Sequence, residues 1–126
     1  MPDASTLQFL LTLAKGIASQ FGPNCEVVVH DLATNDPERS IVAIENGHVT
    51  GRKVGDGPSH VVLEALRGNP EQLHDHLSYL TRTKDGKILK STTIYIRDDN
   101  GVPLGIFGIN YDITLMLAME NAIKQF

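Results

Sequence analysis

Residues 75 to 112 restrict the fold more than any other part of the chain. Three strand-forming runs, roughly 75 to 83, 88 to 97 and 103 to 112, are separated by Asp85-Gly86 and by Asp98-Asp99-Asn100-Gly101. Glycine and asparagine accept the positive φ that tight hairpin turns require, so each separator folds the chain back on itself. The expected product is an antiparallel meander. Its last run, PLGIFGINYD, is apolar on both faces. Leu104 and Ile106 share one side with Gly108, Asn110 and Asp112, while Phe107, Ile109 and Tyr111 share the other with Gly105. A sheet of this kind needs cover on both sides: a helix on one, and a crossover, or a cavity beneath it, on the other.

The rest of the chain can supply that cover. Leu7, Leu10, Leu11, Ala14, Ile17, Ala18 and Phe21 follow the spacing of one helical face, with Ser5 and Gln8 placed as a capping box and Gly22-Pro23 as the stop. Cys25 to Leu32 reads as a valine-rich strand and Ser40 to Glu45 as a second, joined by the polar loop ATNDPER. Asn46-Gly47 predicts a tight turn with 48 to 50 as a short return, and GRKVGDGPS, 51 to 59, is loop. Ser59 caps a helix through about Arg67, stopped by Gly68-Asn69-Pro70; Ile113 to Phe126 returns to helical spacing, capped by Asp112 or Thr114. The order is α+β. We expect one domain over 1–126: a helix over 3–21, a core over 25–112 and a C-terminal helix over 113–126.

Composition excludes several functions. The 126 residues are 41% hydrophobic, enough for one core, and 11 Lys and Arg against 15 Asp and Glu leave a net charge of −4. Such a chain lacks the basic excess that neutralises phosphates, so it is a poor nucleic-acid binder alone. A single cysteine makes neither an internal disulfide nor a multi-cysteine zinc site. With no signal-like start and no apolar run near the ~18 residues of a membrane span, the expectation is a soluble, cytoplasmic protein.

The stretch GPNCEVVVHDL gathers a thiol, an imidazole and a carboxylate. On a strand, Cys25, Val27, Val29 and Asp31 face one way and Glu26, Val28, His30 and Leu32 the other; Cys25 and Asp31 stand roughly 20 Å apart. A Cys-His-Asp relay within the strand is therefore excluded. Cys25 reads as a small buried hydrophobe, and His30 as either a backbone-bonded imidazole or a ligand contact. Gly105 and Gly108 mark a close approach by a small molecule, by a packed helix or at a bulge. Asn110 is an inward amide that needs partners from a neighbouring strand or a ligand. His74 and His76 project together, but a metal would need a third ligand from His48, His60 or a carboxylate, and none is assigned. Arg52 and Lys53 either meet an anionic ligand or face solvent, and their loop lacks the order of a phosphate loop. The stripe Leu115, Met116, Met119, Ile123 and Phe126 must pack on the sheet, pair with a second copy or continue into further chain; we expect a piece of something longer.

Three motifs, GPNCEVVVHDL, NGHVTGRKVGD and GVPLGIFGINYDIT, in that order and across nearly the whole chain, resemble the YheO-like PAS domains of bacterial transcription regulators. The resemblance implies a five-stranded antiparallel sheet of order 2-1-5-4-3 whose short helices roof a cavity. It also implies a sensory role, with DNA contacted by a following helix-turn-helix segment that is missing after Phe126. No cysteine sits in a flavin-attachment motif and no histidine stands out as a haem ligand, so the cofactor is left unknown. An unknown small-molecule ligand would then use His30 and Asn110 as hydrogen-bonding groups, Tyr95 and Phe107 as walls and Arg52 as an anion contact, although alternation puts Phe107 and Asn110 on opposite faces. The expected protein is a non-catalytic sensor, a homodimer through its terminal helices that touches DNA only via a domain not present here and touches no membrane. Two other readings stay open: a small enzyme with His30 and Asp112 as acid-base pair, and an oligomerisation module with a solid core.

Overall fold

The computed structural model describes residues 2–33, 36–69 and 72–126, with Val61 described by its backbone alone. Thr34 and Asn35 of the ATNDPER loop and Pro70 of the helix stop lie outside the described residues. The elements are α1 (Ala4–Phe21), β1 (Cys25–Asp31), β2 (Ile41–Glu45), α2 (His60–Arg67), β3 (His76–Arg82), β4 (Ile88–Arg97), β5 (Pro103–Asp112) and α3 (Thr114–Gln125). The five strands form one antiparallel sheet in the order β2-β1-β5-β4-β3, so the α+β class and the expected strand order both hold.

One face of the sheet is closed by α1. Leu10, Ala14 and Ala18 are buried against Cys25, Val27, Val29 and Phe107, and the two alanines let the helix settle close to the strands. The cap lies two residues before the expected Ser5: Asp3 holds it, its Oδ1 accepting from the Thr6 N–H at 2.7 Å. A carboxylate there satisfies an orphan donor and meets the positive end of the helix dipole. At the other end Gly22, with φ 87°, donates its N–H to the Ala18 carbonyl and turns the chain into β1.

The other face is only partly covered. Leu73, Tyr95 and Ile106 form a second small core with Leu32, Val62 and Leu66, which packs α2 over one part of the sheet. The Ser59 hydroxyl caps α2 by accepting from the Val62 N–H, and the helix ends at Arg67 with Gly68 extended rather than left-handed.

The expected return strand at 48 to 50 is instead a 3-10 turn over Gly47–Val49. Asn46 adopts the left-handed conformation, but its amide donates to the carbonyls of Gly22 (3.1 Å) and Cys25 (2.8 Å), which ties the turn to the start of β1. The glycines of β5 are also explained by protein alone. A Cβ on Gly105 would sit 2.6 Å from the His30 carbonyl oxygen, and one on Gly108 2.9 Å from a Val28 methyl. Neighbouring chain crowds both positions.

Beyond β5, α3 buries no residue. Leu115, Met116, Met119 and Ile123 are exposed, Ile123 by 73%. Among the described residues no helix is long and apolar enough to cross a membrane.

Candidate functional site

Between the uncapped part of the sheet and the α2 crossover lies a cleft of about 1070 Å³. It exists because α1 takes one face of the sheet while α2, only eight residues long, cannot roof the whole of the other. Val28, Leu89, Tyr95 and Ile106 give it an apolar floor, and Val62 and Leu73 border it on the crossover side. All five histidines of the chain line it.

His30 is 3% exposed and its Nδ1 lies 2.8 Å from the Ser40 hydroxyl. Burial, helped by the nearby Arg52 guanidinium, lowers its pKa from 6.5 to about 4, so the ring is neutral at physiological pH. Arg52 reaches the cleft from the loop after the 3-10 turn. That loop is held in place where Arg52 donates its N–H to the Gly47 carbonyl (3.1 Å) and where the Arg52 carbonyl presses on Gly47 so tightly that no side chain fits there. Tyr95 is buried, its N–H donating to Asp75 Oδ1 at 2.8 Å and its ring covered by the Arg97 guanidinium at 5.6 Å. Burial raises the Tyr95 phenol above its ordinary value, so it remains a protonated donor.

At the other end of the floor a polar chain crosses four strands. The Glu26 carboxylate, fully buried, accepts at Oε2 from the Thr50 N–H (3.1 Å) and hydroxyl (2.6 Å), and at Oε1 from the Asn110 amide (2.9 Å). Asn110 Oδ1 in turn accepts from the Ser91 hydroxyl at 2.8 Å, which leaves Ser91 to accept from Thr81 at 3.0 Å. The acidic end thus fixes the direction of every hydrogen bond in the chain.

His30, Arg52, Tyr95 and Asn110 therefore surround one cleft, with Asn110 committed to Glu26 and Ser91. Phe107, expected as a wall, does not: it lies in the core beneath α1, on the opposite face, as strand alternation requires. His30 and Asp112 do not converge either. His30 pairs with Ile106, six residues from Asp112 and so roughly 20 Å along β5, and Asp112 accepts from the Thr114 N–H and hydroxyl at the start of α3, whose cap position is Ile113 rather than the expected Asp112 or Thr114. His74 and His76 gain no third partner, since no group of three metal-ligating side chains assembles among the described residues. The lone thiol, Cys25, is buried under α1 and kept protonated by that burial, so it does not address the cleft. Sequence reasoning passed over Glu26, Thr50, Ser91 and Ser40. The available signal was Glu26 itself, an acid in a valine-rich strand on the face of His30.

A mixed helical cover over a five-stranded antiparallel sheet of this order, with a cleft under the crossover, defines a PAS-type domain. Solved light-oxygen-voltage domains share the fold: one from an RNA-binding receptor (TM-score 0.51, 16% identity, 90% of this chain and 37% of that one). Another, studied with a flavin analogue, matches with TM-score 0.52 and 19% identity over 90% of this chain and 93% of that one. The chain belongs to the YheO-like PAS domain family, whose model matches residues 1–126. It is 34% identical over 119 residues to the uncharacterized protein YheO of Escherichia coli, covering 88% of this chain and 46% of that protein. The transcriptional regulator DauR of Pseudomonas aeruginosa is 30% identical over 121 residues, 96% of this chain and 54% of that protein. The chain spans about half the length of these curated relatives.

Proposed function

We propose that this chain is the sensory domain of a bacterial transcription regulator, that it binds a small molecule in the cleft and performs no catalysis. The observation that carries this reading is the cleft itself: about 1070 Å³, apolar at its floor, with a few fixed polar groups, as small-molecule sites are. Kinship with DauR supports the regulatory role, and DNA contact would fall to a separate part of a longer, cytoplasmic protein.

The output would pass through the terminal helices. β5 contributes Ile106, Gly108 and Asn110 to the cleft and runs directly into α3, which is locked to β4 where Ile88 donates its N–H to the Thr114 hydroxyl at 2.8 Å. A ligand that binds one arrangement of crossover and sheet more tightly would shift α3 by no more than its differential affinity. The apolar stripe of α3, together with the exposed Phe9 and Leu13 of α1, suits pairing with a second copy. Native mass spectrometry of the purified protein tests the reading. A bound small molecule should be retained and should be lost from an Ile106→Trp variant that fills the floor. A retained molecule indifferent to that substitution would place binding elsewhere and overturn the proposal.

A further inference from the structure

The cleft has a charge that the chain as a whole does not. Overall, 15 Asp and Glu outnumber 11 Lys and Arg, yet the lining holds Arg52, Arg82, Lys84 and Lys87 against Asp85 alone. Asp85 is already engaged by Lys87 at 3.8 Å and by the Thr83 hydroxyl, and Lys87 also donates to the His48 and Val49 carbonyls. Arg52 makes no ion pair among the described residues. Even counting Glu26, which is bonded to the lining residues Thr50 and Asn110, cations outnumber acids here, and a concave, partly apolar site with a net positive lining concentrates anions.

His30 adds a donor of fixed direction. Ser40 is fully buried, and among the described residues its hydroxyl meets only His30 Nδ1. If Nδ1 carried the proton, the buried Ser40 hydroxyl hydrogen would have no acceptor among the described residues, which is unfavourable. The hydroxyl therefore donates to Nδ1, and the ring proton sits on Nε2. Among the described residues Nε2 has no hydrogen-bond partner and no sealed side-chain nitrogen or oxygen lacks one, so Nε2 is not enclosed, and the cleft is the space that the ring lines. His30 and Arg52 both line this cleft, and the guanidinium is near enough to the imidazole to disfavour its protonation.

Resting on the reading of this cleft as a ligand site, we propose that the ligand is an organic carboxylate whose anionic end is received by His30 Nε2–H and Arg52 while its apolar body lies along Val28, Tyr95 and Ile106. One fixed charge and one neutral donor balance a single negative charge, and the planar guanidinium fork matches a carboxylate. The apolar floor selects against a bare inorganic ion, which would leave it wet.

The test uses two probes that differ only in the end group, 4-phenylbutanoate and its neutral amide, titrated into the protein and into Arg52→Gln by NMR. The carboxylate should bind about tenfold more tightly than the amide, and Arg52→Gln should reduce that preference to within about twofold. Long-range ¹H–¹⁵N histidine correlations should show His30 protonated at Nε2. Equal affinity for the two probes, a preference that survives Arg52→Gln, or a proton on Nδ1 would overturn the carboxylate seat. Shifts confined to the cleft would keep the site itself intact in each of those cases, whereas shifts from both probes confined to residues outside it would count against the cleft as a ligand site.

Discussion

Replacing Glu26 separates the effect of its charge from that of its hydrogen-bond pattern. The carboxylate receives three donors: the Thr50 N–H, the Thr50 hydroxyl and the Asn110 amide. Glu26→Ala strands the Thr50 N–H and one Asn110 hydrogen, each costing about 1–3 kcal/mol, so the expected loss is about 4 kcal/mol. That is a large share of the ~5–15 kcal/mol that holds a domain together. Glu26→Gln behaves differently because the network can run backwards. The Gln oxygen faces Thr50, its amide donates to a flipped Asn110, Asn110 donates to Ser91, and Ser91 donates to Thr81, which is partly exposed and can turn to water. Every group stays satisfied. Weaker neutral hydrogen bonds replace charge-assisted ones, offset by relief of burying a charge, for a net loss of about 1 kcal/mol. The chain has no tryptophan, so urea unfolding followed by far-UV circular dichroism is the assay. Equal losses for the two variants would refute the reversible network, and a loss under about 1 kcal/mol for Glu26→Ala would refute its contribution to stability.

Three further outcomes are expected. His30 has its folded pKa lowered from 6.5 to about 4, so the unfolded chain binds more protons between those values; stability should be full above pH 6.5 and fall by about 3 kcal/mol as pH drops towards 4. Urea midpoints across that range should show the loss in the parent protein and a flatter profile in His30→Gln. Gly105→Ala forces a Cβ against the His30 carbonyl and should cost about 2 kcal/mol or more, while Gly108→Ala meets only a Val28 methyl that can rotate and should cost less; thermal melts of the two would rank them. The proposed pairing through α3 predicts that the protein sediments as a dimer and that Ile123→Lys, on the exposed stripe, sediments as a monomer with its melting temperature lowered by no more than a few degrees; a monomeric parent or an unchanged mass would overturn that pairing.

Much of this fold is written locally. The two turns at Asp85-Gly86 and Asp98 to Gly101 and the alternation along β1 and β5 suffice to assign the meander and to sort Phe107 from Asn110. What local reading misses depends on residues far apart in the chain. Asn46-Gly47 has hairpin chemistry, yet the Asn46 amide finds carbonyls 21 and 24 residues upstream, and that tether overrides the local preference. Glu26 is legible as a buried acid but not as the head of a network, because its partners are Thr50, 24 residues on, and Asn110, 84 residues on. The helix cap is Asp3 rather than Ser5: both are competent cap residues two positions apart, and local sequence does not choose between them. Arg52 and His30 are separated by 22 positions in sequence, and only the loop that Gly47 pins brings them to the same cleft.

Three consecutive valines offer the most direct test of the cleft as the ligand site. Val28 lines it, whereas Val27 and Val29 point into the core under α1. In a methyl NMR screen of small organic acids, a binding compound should shift the Val28 methyls together with those of Ile106 and leave Val27 and Val29 in place. Binders that moved Val27 and Val29, or the α3 methyls, while Val28 stayed still would contradict the account.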